Sequence, residues 1–83
     1  MEENLHQAEQ LEKEYDWLGA AKLYEKVLGL LPQDDFLEVG ESHERLGYAF
    51  YRFAFQAETK EEFRDRLHQS TVAYGKAAEF YEK

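Results

Sequence analysis

Small and apolar residues along the first part of the chain recur at intervals of three and four, marking a stripe of Leu5, Ala8, Leu11, Tyr15 and Leu18. That interval is helical rather than strand-like and predicts a first helix over 2–14. Asp16 can cap a new start. Trp17, Ala20, Ala21, Tyr24, Val27, Leu28 and Leu31 then share one face that stops at Pro32, which predicts a second helix over 17–31. After the turn Pro32-Gln33-Asp34-Asp35, Asp35 and Glu38 stand at capping-box spacing, with Asp in place of the usual Ser or Thr. A third helix starts there. Its stripe runs Phe36, Val39, His43, Leu46, Phe50, Phe53 and Ala57, and Tyr48, Tyr51 and Phe55 form a second, aromatic flank. A helix patterned this way must bury more than one side. Thr59 and Glu62 make a fuller capping box, and Phe63, Leu67, Ser70, Tyr74, Ala77 and Tyr81 predict a fourth helix from about 60 to the end.

The predicted breaks therefore fall near residues 15, 33 and 58. Loops this short make neighbouring helices antiparallel, so the expected fold class is all-α, built from antiparallel helical hairpins with about four helices. No glycine or proline closes the last periodic stretch Ala77-Ala78-Glu79-Phe80-Tyr81. The expectation is one helical domain over 1–83, cut from a longer repeat protein.

Composition narrows the function. The chain has 83 residues, 43% of them hydrophobic, including six Phe and six Tyr, so a packed core is expected at the lower limit of size for one. With no cysteine there is neither a disulfide framework nor a thiolate metal site. The start Met1-Glu2-Glu3-Asn4 is neither basic nor apolar, which argues against a signal peptide or membrane span and for a cytoplasmic protein. A net charge of -8 argues against nucleic acid and anionic membrane as partners. Residues 1–41 hold eleven Asp/Glu against three Lys, and residues 42–83 hold seven charges of each sign, so a basic partner would be steered to the first half.

The segment 16–32 resembles the second helix of a tetratricopeptide repeat (TPR). Ala20, Tyr24, Val27 and Pro32 match the family's small residue, large aromatic, small residue and closing proline, and Trp17 matches the aromatic at the helix start. In the first helix Ala8 and Leu11 fit, whereas Asn4 and Gln7 stand where the family prefers Trp and Leu, as in a terminal capping repeat. In the second unit Leu46, Gly47 and Phe50 match the Leu-Gly-x-x-Tyr pattern, with His43 in place of Trp. If Ala73 is the counterpart of Ala20, the gap from Gly47 is 26 residues against 12 from Ala8 to Ala20, an excess of fourteen. Shared between two helices, that lengthens each member of the second pair by about two turns. The same helix count and loops fit an antiparallel four-helix bundle. A microtubule-interacting-and-transport-type three-helix module is disfavoured, because the aromatic 46–55 segment is too long and too apolar for its third helix.

Candidate chemistry is sparse. His6, His43 and His68 lie on three different predicted helices without partners at ligand spacing, so no metal site is expected. The carboxylate pairs Glu2/Glu3, Asp34/Asp35 and Glu61/Glu62 stand at helix starts, where negative charge favours the helix dipole. Ser42, Ser70, Thr59 and Thr71 have no base and orienting acid beside them, and no glycine-rich phosphate loop exists. Gly19 and Gly47 read as close-packing positions. No cofactor and no enzymatic activity are expected. The TPR resemblance implies instead a concave groove lined by the first helix of each pair: Leu5, Glu9 and Glu12 from the first unit, and Glu44, Tyr48, Tyr51, Arg52 and Phe55 from the second. Acidic and aromatic residues together suit a basic peptide with apolar side chains. The resemblance thus implies a scaffold for protein–protein interaction that binds a partner peptide or helix. The alternative is a self-associating helical bundle, in which Tyr48, Tyr51 and Phe55 form the seam of a homodimer; burial of those three against the fourth helix or against a further repeat is equally open.

Overall fold

A computed structural model of the chain describes residues 2–82. It is all-α, as the periodicity predicts: α1 (Glu2–Lys13), α2 (Trp17–Leu30), α3 (Phe36–Ala54) and α4 (Lys60–Tyr81), arranged as antiparallel hairpins. The end of the predicted fourth helix at Lys83 lies outside the described residues. α3 and α4 have 19 and 22 residues against 12 and 14 in α1 and α2, so each is longer by about two turns, as the spacing implies.

The helix starts follow from side-chain caps. The Asp16 carboxylate accepts the Gly19 N–H at 2.9 Å, and Thr59 Oγ1 accepts the Glu62 N–H at 3.1 Å. Asp35 plays the same part more loosely, with the Glu38 N–H at 3.5 Å. Glu62 reaches back to the N–H of Glu58 (3.3 Å), one residue before the cap. α1 ends differently. The Asp16 N–H bonds the Leu11 carbonyl at 2.8 Å and the Tyr15 N–H that of Glu12 at 3.0 Å, a Schellman closure that puts Tyr15 at φ 65°. This turn corrects the first stripe. Tyr15 is turned out of the helix and is 69% exposed, and Leu18 is exposed as well.

Packing runs in sequence order: α1 on α2, α2 on α3 and, most extensively, α3 on α4. A closed four-helix bundle would also pair α1 with α4, and no such extensive packing occurs among the described residues. The thinnest dimension, 16 Å between Cα atoms, is what two helix layers 8–10 Å apart occupy. The main core joins Ala8, Trp17, Ala20, Ala21, Tyr24, Leu46, Ala49, Phe50 and Ala73, and a smaller cluster of Val27, Leu31 and Val39 adjoins it. Every apolar position predicted for α2 is buried or half-buried. In α3 the stripe holds from Val39 to Phe53, but the helix stops at Ala54, short of Ala57, and Phe36 at its start is partly exposed.

The α3–α4 contact is made through small residues. Ser70, Ala73 and Ala77 are the buried positions of α4, and Gly40, Gly47 and Ala54 are among those of α3. The Ser70 hydroxyl donates to the Gly47 carbonyl at 2.7 Å inside this seam. Tyr74 and Tyr81, assigned to the buried stripe by periodicity, instead lie partly exposed as lids over the two glycines. A Cβ on Gly47 would meet the Tyr74 ring at 3.0 Å, and one on Gly40 the Tyr81 ring at 2.9 Å. Gly19 has a different role from close helix packing, since a Cβ there would strike the capping carboxylate of Asp16 at 2.6 Å.

His43 packs at the back of this seam, stacked on Phe80 with ring centroids 5.7 Å apart. Burial, reinforced by the charge of Lys76 and opposed by Glu79, holds its pKa below the ordinary 6.5. The folded state therefore prefers neutral His43. Its contribution to stability is complete above pH 6.5 and is lost as the pH falls from there through the lowered value. Thermal melts of the H43F variant should fall less steeply with pH than those of the parent over about pH 6.5 to 5, the range above most carboxylate titration; equal slopes would contradict this account.

The glycines give a second test. Nothing lies within 4 Å of a Cβ built on Gly29 or Gly75. Gly75→Ala, in the interior of α4, should stabilise the chain by up to about 1 kcal/mol, and Gly29→Ala, near the end of α2, by less. Gly47→Ala should bring no such gain, because overpacking against Tyr74 costs about 1–3 kcal/mol and offsets the helix propensity. Thermal midpoints of the three variants decide this, and a Gly47→Ala midpoint matching that of Gly75→Ala would show that Tyr74 is not seated as described.

Candidate functional site

A cleft of about 580 Å³ opens over the junction of α1, α3 and α4 and is lined by Glu12, Glu41, Glu44, Arg45, Tyr48, Tyr74 and Tyr81. Each wall has a local cause. Glu41, Glu44, Arg45 and Tyr48 occupy adjoining positions at helical intervals on α3, on the side away from His43, Leu46 and Phe50. Tyr74 and Tyr81 are seven residues apart on α4, two helical turns, and lie over Gly47 and Gly40, which are also seven apart on α3. The antiparallel register thus sets two phenol rings along one rim.

Hydrogen bonds fix the rims. Tyr81 donates its hydroxyl to Glu44 Oε2 at 2.7 Å, and this bond, more than partial burial, pushes the phenol pKa up to about 12. Tyr74 is raised as well, mainly by burial and further by the charge of Glu44. On the α1 side, Tyr24 donates to Glu12 Oε2 at 2.8 Å, and burial first, then this bond, raises it to about 12. Arg45 pairs with Glu9 at 3.5 Å and is held charged chiefly by its interaction with the Tyr24 hydroxyl. One network thus ties Glu9 and Glu12 of α1 to Tyr24 of α2 and Arg45 of α3.

From Tyr48 an aromatic strip continues along α3 away from the cleft. Ring centroids are 5.6 Å apart from Trp17 to Tyr48, 6.5 Å from Tyr48 to Tyr51, 5.1 Å from Tyr51 to Phe55 and 5.7 Å from Phe55 to Phe63 on α4. Arg52 lies 5.1 Å over the Trp17 ring and 6.0 Å from that of Tyr48, and its guanidinium donates to the Tyr48 hydroxyl at 3.3 Å. Tyr48, Tyr51 and Phe55 are 42%, 41% and 62% exposed, so α4 does not cover them.

Of the eight groove residues expected from the sequence, Glu12, Glu44 and Tyr48 line the cleft, and Tyr51, Arg52 and Phe55 lie on the strip that adjoins it. Glu9 stands beside the cleft in its ion pair with Arg45. Leu5 goes elsewhere: it is half-buried against both apolar clusters. Glu41, Arg45, Tyr74 and Tyr81 complete the cleft and were not expected there. A signal for the two tyrosines was present, because glycines at 40 and 47 and tyrosines at 74 and 81 share one interval on antiparallel helices.

Among the described residues no group of three or more His, Asp or Glu side chains is placed to hold a metal ion, and no helix is long and apolar enough to cross a membrane. Comparison with known proteins adds no relative: no protein-family model matches the chain, and no curated protein or solved structure matches it.

Proposed function

We propose that the chain is a TPR-like protein-interaction module that holds a basic, partly apolar segment of a partner protein in the cleft and along the aromatic strip. The observation that carries this reading is the continuity of the two surfaces through Tyr48, which lines the cleft and stands 6.5 Å from Tyr51 on the strip. Three carboxylates, Glu12, Glu41 and Glu44, line the cleft with one guanidinium, Arg45, leaving it a formal charge of -2 by count (1 minus 3), and Glu9 stands beside it in its ion pair with Arg45. A cationic segment is drawn to such a field, and apolar side chains beside its charges find exposed rings. Support for the TPR-like part comes from the burial of Ala8, Trp17, Ala20, Tyr24 and Val27, five of the positions on which the resemblance rests, and from helices stacked in sequence order.

Binding suits the site better than catalysis. The phenols of Tyr74 and Tyr81 are held protonated, and the cleft lining contains no imidazole that could act as a general base for a neighbouring hydroxyl.

Self-association through the strip is the second reading, favoured by the exposure of Tyr51 and Phe55. Two copies of a chain with net charge -8 repel each other, and the repulsion is screened by salt.

One pair of measurements separates the readings. Fluorescence anisotropy with a labelled peptide of about ten residues alternating basic and apolar side chains should show binding that weakens as salt rises and that falls at least about tenfold in a Glu41→Lys/Glu44→Lys variant. Charge reversal belongs at these two positions, since Glu9 and Glu12 support the internal Arg45–Tyr24 network. Sedimentation over a hundredfold concentration range should give a monomer. A tight dimer that Tyr51→Glu dissociates, together with no peptide binding, would replace the groove reading with self-association.

A further inference from the structure

The cleft combines flat rings with carboxylates: Tyr48, Tyr74 and Tyr81 against Glu12, Glu41 and Glu44. The carboxylates are not equivalent. Glu12 accepts from buried Tyr24, and the cleft's own Arg45 is drawn toward Glu9 and Tyr24 on the α1 side. Glu41 and Glu44 are paired with no cation among the described residues, and Tyr81 engages only one oxygen of Glu44. Both line the cleft together with the Tyr74 and Tyr81 rings.

The same fold shows twice how it holds a planar cation. Arg66 lies 3.6 Å over the Phe53 ring while pairing with Glu62 at 3.3 Å, and Arg52 lies 5.1 Å over Trp17. Ring below and carboxylate beside, as at Arg66, is a geometry that a guanidinium satisfies better than an ammonium, because the guanidinium is planar, weakly hydrated and able to give two parallel hydrogen bonds to one carboxylate. On the proposed reading of the cleft as a partner-binding groove, we propose that it is an arginine socket: the guanidinium of an arginine in the partner segment stacks on Tyr74 or Tyr81 and pairs with Glu41 and Glu44. At about 580 Å³ the cleft has room for the apolar stem of that side chain beside Tyr48. Tyr81 acts as a positioning residue, since its hydroxyl fixes the Glu44 carboxylate.

The test uses three peptides, acetyl-Leu-Arg-Ala-Leu-Arg-amide and its lysine and citrulline counterparts, titrated into the labelled chain and followed by amide chemical shifts. The arginine peptide should shift the amides of Glu41, Glu44, Gly47, Tyr74 and Tyr81. Citrulline, which keeps the shape and loses the charge, should weaken binding by at least about tenfold, and lysine by about threefold or more. Glu41→Gln and Glu44→Gln should each reproduce the citrulline loss with an unchanged thermal midpoint, and Tyr74→Leu should bring the arginine-to-lysine preference close to one. If Glu44→Gln lowers the midpoint by releasing Tyr81, Glu41→Gln carries the test. Equal affinity for the arginine and citrulline peptides, with shifts confined to Tyr51 and Phe55, would overturn the socket and leave the groove reading standing. Free arginine binding as tightly as the peptide would overturn the assignment to a partner segment in favour of a small guanidinium ligand. Absence of shifts with every peptide would overturn socket and groove together.

Discussion

Close approach of α3 and α4 is the constraint on which the other features depend. Glycine at 40 and 47 leaves two shallow places on α3, and Ser70, Ala73 and Ala77 bring small side chains to meet the same helix. Interiors pack at crystal-like density, so the bulk absent from the centre of this seam must be supplied at its edges. Tyr74 and Tyr81 supply it on one edge, and His43 with Phe80 on the other. The edge that carries the tyrosines is the cleft. Its aromatic rim is thus a by-product of how two helices come within reach of each other, and the rim cannot move without loosening the seam.

The lengthening of α3 and α4 follows from the same contact. Two additional turns on each helix extend a seam that buries little apolar area per residue, because alanine, glycine and serine have little to bury. They also bring the end of α3 level with the first turn of α2, where Arg52 reaches Trp17, and it is there that Tyr51 and Phe55 stand uncovered. A side-chain bond joins the two connections at that end, where the Gln56 amide donates to the Tyr15 carbonyl at 2.9 Å.

The sequence disclosed the parts of the fold that are set locally. Asp16, Asp35 and Thr59 mark the helix starts because a cap needs only its own side chain and the next turn of backbone. The spacing from Gly47 to Ala73 foretold the lengthened pair, since facing small residues must keep step along antiparallel helices. What failed depended on neighbours. Periodicity named the side of α4 on which Tyr74 and Tyr81 sit, but not that glycines opposite would let their rings slide to the rim. It also put Tyr15 on the α1 stripe, where the Schellman turn removes it. Leu5 was expected in the groove from a repeat pattern that α1 matches poorly, and there the helix turns this side chain toward Val27 and Leu31 instead.

Charge shows the same division between local and tertiary causes. Counting along the chain places the whole negative excess in residues 1–41, and a reading by halves sends a basic partner to Glu9 and Glu12. Folding redistributes it. Arg45, from the electrically neutral half, crosses to Glu9, and Glu12 is engaged by a tyrosine of α2. The negative charge left facing the cleft is then that of Glu41 and Glu44, which lie on either side of the boundary between the halves and are three residues apart on one helix. Two carboxylates at that interval repel each other, and Arg45, the cation one turn on from Glu41 on the same helix, is drawn away from them to Glu9 and Tyr24.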